Sequence, residues 1–249
     1  MIKLLSFKTR RPDLTPATFR SHYEERHVPL GLSFIDHFRW RKYVRNYVVS
    51  PVLGSVDFDC VTEFWVADRE DRERTSEFAA SPAFSVLDHD DRQFLDVTQR
   101  LSFEVEERVL AGSKSGSSSL GTDRLAMFIE RPGPMPAADF AAGIVEQALS
   151  FSTTHGEVCD GIVLDLRRPG SSEEVGIHAI LSVWLASARN LGDLAWPEVE
   201  SPTRVVRLES VQTPSEVLYS GRESDRGIAR GISMETAPHS VTKEEEEPR

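Results

Sequence analysis

The 249-residue sequence predicts an α+β protein built from two tandem βαββαβ units, and three observations lead there. The segments "LLSFKTRRPDLTPATF" and "LAMFIERPGPMPAADF" repeat one local grammar of apolar strand, Arg/Pro turn and helix start, with Phe7 and Phe19 spaced as Phe128 and Phe140 are. Between the copies lies "AGSKSGSSSLGT", Ala111 to Thr122, small, polar and glycine-rich, with nothing to bury; it reads as a flexible linker. Strand-like and helix-like apolar patterns then follow in the same order in both halves.

A strand over residues 2–9 opens the first half. Thr15 offers a capping oxygen and Pro16 a backbone suited to the first helical position, so a helix starts there. Phe19, Tyr23 and His27 recur every four residues and share one face, while Arg20, Glu24 and Glu25 turn to water. Val28-Pro29 is expected to stop the helix, because proline disfavours helical backbone before it and lacks a donor. Strands over 40–49 and 59–66 follow, then a helical region over about 70–94 broken near Pro82, and a strand over 101–109.

The second half repeats the order more loosely: strand 124–130, helix 137–151, strands 161–166 and 177–185, a short helix near Leu191, and strand 204–211. From Gly221 the chain is charged, lacks apolar periodicity and ends in "KEEEEPR", which reads as a disordered acidic tail. The expected division is one unit over 1–110, the linker over 111–122, a second, degenerate unit over 123–220, and the tail over 221–249. A four-stranded sheet with both helices on one side leaves its other face bare, and a second such sheet is the natural cover. Two tandem ferredoxin-like βαββαβ units, packed sheet to sheet as an intrachain pseudo-dimeric α+β barrel with a cavity between the sheets, are the expected architecture.

Composition narrows the function. A formal net charge of -11 argues against nucleic acid or an anionic membrane as partner. Cys60 and Cys159 lack the spacing of a zinc site or disulfide framework and read as buried free thiols. The N-terminal apolar run is too short for a secretory signal, and a reducing cytoplasm is the expectation. No Gly-x-Gly-x-x-Gly or Walker loop, no Gly-x-Ser-x-Gly elbow and no haem-attachment motif occurs, so no cofactor and no dedicated metal site are expected.

The stretch "FRSHYEERHVPL", followed by "RKYVRN" and "HDDRQFLD", resembles the EthD-like branch of the dimeric α+β barrel superfamily. His27 and Pro29 match its helix end, Tyr43 and Asn46 its strand motif, and Asp90, Asp91, Phe94 and Asp96 its acidic element before the last strand. The resemblance covers about residues 1–110. It implies a cavity for hydrophobic small molecules; the family and its barrel relatives include polyketide cyclases, dehydratases and cofactor-free monooxygenases. The second half lacks the Tyr-x-x-x-His-x-Pro helix end, so one working cavity and one structural one are expected.

His27 is the expected catalytic base, since a histidine can accept and return a proton near neutral pH; the alternative is a histidine capping the helix end and packing on Pro29. Tyr23 and Tyr43 are candidates to hold an oxyanion, with core packing as the alternative. Asp91 is the candidate partner of His27. Phe19, Trp40, Trp65, His89 and Phe94 complete the candidate pocket, the tryptophans competing with plain sheet packing and His89 with a solvated face. The reading is a cofactor-independent lyase, a cyclase or dehydratase acting by His-mediated proton transfer on a polyketide-like or aromatic hydrophobic small molecule. A non-catalytic ligand-binding or accessory protein, a cofactor-free monooxygenase, and haem binding through a histidine stay open. A homodimer of pseudo-dimeric chains is a further expectation.

Overall fold

In the computed structural model, residues 1–112, 124–169, 176–185, 194, 196, 197 and 201–220 are described. Strand β1 (Ile2–Lys8) leads into helix α1 (Pro16–His22), where the Thr15 side chain accepts from the Thr18 N–H at 3.1 Å and Pro16 takes the first turn. The helix does not stop at Val28-Pro29 as the sequence suggested. A π turn, Tyr23–His27, intervenes, in which the Val28 N–H reaches the Tyr23 carbonyl, and α2 (Val28–Leu32) continues. The π turn makes Val28 and Pro29 a new first helical turn, where a missing proline N–H leaves no additional carbonyl unpaired.

Helix α3 (Ile35–Phe38) turns the chain through Arg39, at φ 54, into β2 (Lys42–Leu53) and β3 (Cys60–Val66). Helix α4 (Arg69–Ala79) starts on the Asp68 side chain, which accepts from the Asp71 N–H at 3.0 Å. A short 3-10 turn at Pro82 separates it from α5 (Ser85–Phe94), and β4 (Leu101–Ala111) closes the half. The second half contributes β5 (Arg124–Glu130), α6 (Ala137–His155), β6 (Cys159–Arg167), β7 (Ile177–Leu185) and β8 (Thr203–Gln212). The expected helix near Leu191, most of the linker and the tail from Gly221 lie outside the described residues.

All eight strands pair antiparallel in one closed ring, β1-β3-β2-β8-β5-β7-β6-β4, with β4 returning to β1. The arrangement expected from the sequence, two sheets face to face with a cavity between them, is corrected here. The sheets join edge to edge, β2 to β8 and β4 to β6. Closure satisfies strand edges that stacking would leave open, and the inward side chains fill the middle. Leu5, Phe7, Val61, Phe103, Ala126 and Phe128 pack there. A void of about 10 Å³ lies among these side chains.

Charged groups share that interior. Lys3 Nζ lies 2.8 Å from both Glu107 and Asp165 and 3.4 Å from Glu63, and Arg124 Nη1 lies 2.8 Å from Glu63 and donates to Asn46 Oδ1 at 2.6 Å. Burial works to raise the Glu63 pKa, but Lys3 and Arg124 outweigh it and bring the carboxyl down to about 2. Burial, reinforced by Glu63 and Glu107, pushes Asp165 up to about 6 against the pull of Lys3. Matching Phe7 to Phe128 sets Lys3 beside Arg124 in register. Lys3 stands 4.8 Å from the ring centre of its cross-strand partner Trp65, as Arg124 stands 4.7 Å from that of its own partner Trp184.

Candidate functional site

The alternation of β1 sends Lys3, Leu5 and Phe7 into the barrel and Leu4, Ser6 and Lys8 toward the helices. On that outer face, beneath the first-half helices, lies a cavity of about 530 Å³, a size that suits a small organic molecule. Trp40, Tyr43, Phe64 and Val66 give it an aromatic and aliphatic wall, and His27, Asp91 and Lys8 give it polar groups. The cavity sits outside the barrel, beneath the helices, and His27 lines it directly.

His27 closes the π turn with its side chain 14% exposed. Its Nδ1 lies 2.9 Å from Asp90 Oδ2, and the other oxygen of that carboxylate lies 3.0 Å from His22 Nε2. The hydrogen bond from His27, together with that from His22, holds the Asp90 pKa below its usual range, so the carboxylate is anionic and can only accept. The proton of a neutral His27 is thereby fixed on Nδ1. Nε2, which makes no hydrogen bond among the described residues, carries the lone pair. The sequence pointed to Asp91 as the partner; the structure gives that place to Asp90, with Asp91 Oδ1 3.7 Å from the ring. One residue of α5, about 100° around the helix axis, explains the exchange: Asp90 faces the π turn of the first helix while Asp91 faces the cavity.

The other candidate residues separate by position. Tyr43 lines the cavity, and burial raises its pKa, so the hydroxyl stays protonated and can donate. Tyr23 is fully buried behind it, with its hydroxyl 2.7 Å from Thr62 Oγ1; it supports the wall and does not line the cavity. Phe19 and Phe94 are likewise buried beneath the surface, where Phe94 packs against Phe19, Tyr23, His22 and His27 and fixes the imidazoles. Trp40 lines the cavity, but Trp65 does not. In β3 it alternates with Phe64 and Val66, and its ring points into the barrel between Lys3 and Lys42. His89 is exposed on the solvent side of α5, whose inward residues are Leu87, Asp91 and Phe94, and it takes no part.

Sequence reasoning missed Lys8, Ser6 and Phe64. The signal was present in the repeated segments: Ser6 and Lys8 stand where the second copy has Met127 and Ile129. In that half the outer face is filled, with Leu125, Met127 and Ile129 packed against Phe140, Ile144 and Ala148 of α6.

Residues 11–98 match the family model described as the EthD domain. No curated protein matches. Among solved structures, an anthrone oxidase-like protein aligns at 14% identity over 85% of this chain and 92% of its own, with a TM-score of 0.45. A protein assigned as a monooxygenase from Lactobacillus acidophilus NCFM aligns at 7% identity over 86% and 96%, with a TM-score of 0.46. A mutant chlorite dismutase from Candidatus Nitrospira defluvii aligns at 12% identity over 88% and 93%, with a TM-score of 0.43. These neighbours are named for oxidation and for chlorite chemistry, and none is named for the cyclase or dehydratase chemistry expected from the sequence.

Proposed function

We propose, for a chain that carries an EthD domain over residues 11–98, that the outer cavity of the first half takes up a hydrophobic aromatic or enolic small molecule and that His27 removes its proton. The observation that carries this reading is the pairing of His27 Nδ1 with Asp90 at 2.9 Å, which leaves Nε2 as a base at the wall of an apolar cavity. The Tyr43 hydroxyl donates to the oxygen on which negative charge develops. Dioxygen, itself apolar, enters the same cavity and adds to the electron-rich carbanion. His27 returns its proton to the peroxide, which loses water, so one oxygen atom stays on the substrate as a carbonyl and the other leaves as water. The protein is then a cofactor-free monooxygenase.

The same reading takes the chain as two tandem ferredoxin-like units forming an intrachain pseudo-dimer. The half-sheet orders β4-β1-β3-β2 and β8-β5-β7-β6 and the matched Lys3/Trp65 and Arg124/Trp184 pairs support it. An oxygen electrode and product mass spectrometry, run against a panel of phenols and aryl ketones with acidic methylenes, test the activity. His27→Gln is expected to lower turnover about 10²- to 10⁴-fold with the fold intact by circular dichroism. Full turnover by that variant, or a Soret band in the purified protein, would overturn the proposal.

A further inference from the structure

Two polar groups face the cavity with hydrogen-bonding capacity unused. Asp91 is 8% exposed, and its Oδ1 is buried without a hydrogen bond; Arg100 lies 3.5 Å from the carboxylate and the His27 ring 3.7 Å. Lys8 lines the same cavity from β1, and its ammonium makes no hydrogen bond or ion pair among the described residues. The backbone holds both in one corner. Arg11 N–H donates to the Phe94 carbonyl and Asp96 N–H to the Thr9 carbonyl, each at 2.9 Å, which stitches the end of α5 to the end of β1. Around Lys8 stand Asp91 from α5, Cys60 from β3 and Arg100; burial lowers the lysine pKa, and Asp91 partly offsets that. A buried acceptor is rarely left unmatched, and Asp91 Oδ1 with the half-buried Lys8 ammonium at a single corner defines the complement they lack.

We propose that Lys8 and Asp91 are the polar anchor of the cavity and select a ligand with a hydroxyl beside a carbonyl or oxyanion. The hydroxyl donates to Asp91 Oδ1, the second oxygen accepts from Lys8 Nζ, and the apolar remainder lies on Trp40, Phe64 and Val66. This inference rests on the reading of the cavity as a small-molecule site and adds the substrate class. It also places the ligand hydroxyl on a carboxylate 3.7 Å from the His27 ring, where its proton is within reach. The second half shows that an aliphatic side chain is accommodated at the position of Lys8, since Ile129 occupies it there with 2% exposure.

The test compares two probes of similar size, hydroxyacetonaphthone, which carries the adjacent hydroxyl and carbonyl, and ethylnaphthalene, which carries neither. Binding is read by calorimetry and by quenching of tryptophan fluorescence in the full chain, in Lys8→Met and in Asp91→Asn. The full chain should prefer the hydroxyketone by about tenfold or more, and each variant should lose about tenfold toward it while staying within about twofold for ethylnaphthalene. Equal binding of both probes by the full chain, or an unchanged hydroxyketone affinity in Lys8→Met, overturns the anchor and leaves the cavity standing. Binding of neither probe removes the cavity reading itself. Should Asp91→Asn fail to fold, Lys8→Met decides the matter alone.

Discussion

The two halves share the interior of the barrel and differ on its outer faces. Inside, Lys3 and Arg124 occupy matched positions, each over a tryptophan, and both converge on Glu63. Outside, Leu4, Ser6 and Lys8 line an open cavity where Leu125, Met127 and Ile129 fill a packed core. The lesson is that a paired scaffold is held by its centre, leaving one outer face to be spent on packing and the other on a binding site. At matched positions the first face carries Ser6 and Lys8 where the second carries Met127 and Ile129, and the short Ser6 side chain leaves room that Met127 fills.

The shared centre gives the largest effect. Glu63 is 1% exposed and pairs with both Lys3 and Arg124, so Glu63→Ala leaves two buried cations short of a counterion. It is expected to cost about 3–5 kcal/mol in urea unfolding and to weaken both halves together. A smaller loss, or one confined to the first half by hydrogen exchange, would break the picture of a common core.

The outer faces should respond unequally at one matched position. Met127→Ala empties a packed site and is expected to cost about 2–4 kcal/mol, whereas Ser6→Ala, at a cavity wall, should stay within about 0.5 kcal/mol. Ser6→Met should leave stability near the parent value and block ligand uptake, because it extends the filled face of the second half into the first. Chemical denaturation with ligand titration reads all three.

The smallest expected effect is a pH dependence. Asp165 has its folded pKa raised to about 6, so its contribution favours the folded state below the ordinary carboxylate range and is lost as pH rises through about 6. Glu63 has the opposite sign: lowered to about 2, it stabilises above its ordinary value, and that contribution is lost as pH falls toward 2. The difference in melting temperature between the parent and Asp165→Asn should therefore shift in favour of the variant as pH is raised from about 4 to 7. A constant difference across that range would show that Asp165 does not titrate there.

Much of this molecule is legible in its sequence, and the exceptions have physical causes. The repeated grammar, the Thr15-Pro16 helix start and the strand periodicity are local signals, and the elements formed close to where those signals place them. Periodicity gives two faces but does not say which is covered; hence Trp65, assigned to the pocket, points into the barrel while its neighbour Phe64 lines the cavity. The stripe of Phe19, Tyr23 and His27 shows a shared inward face, but only the π turn separates the buried tyrosine from the histidine at the wall. Asp90 reaches His27 across a long stretch of chain, and no local pattern distinguishes it from Asp91 or His89. Lys8 was passed over because a lysine at a strand end ordinarily meets water.

The ring of eight strands is completed by contacts of β2 with β8 and of β4 with β6 inside a single polypeptide. Closure is therefore a first-order event: the strands that complete the ring belong to one chain and cannot be diluted apart. A barrel assembled from two separate chains would lose stability on dilution by mass action. Covalent continuity frees this barrel from that dependence, and it lets the two outer faces differ.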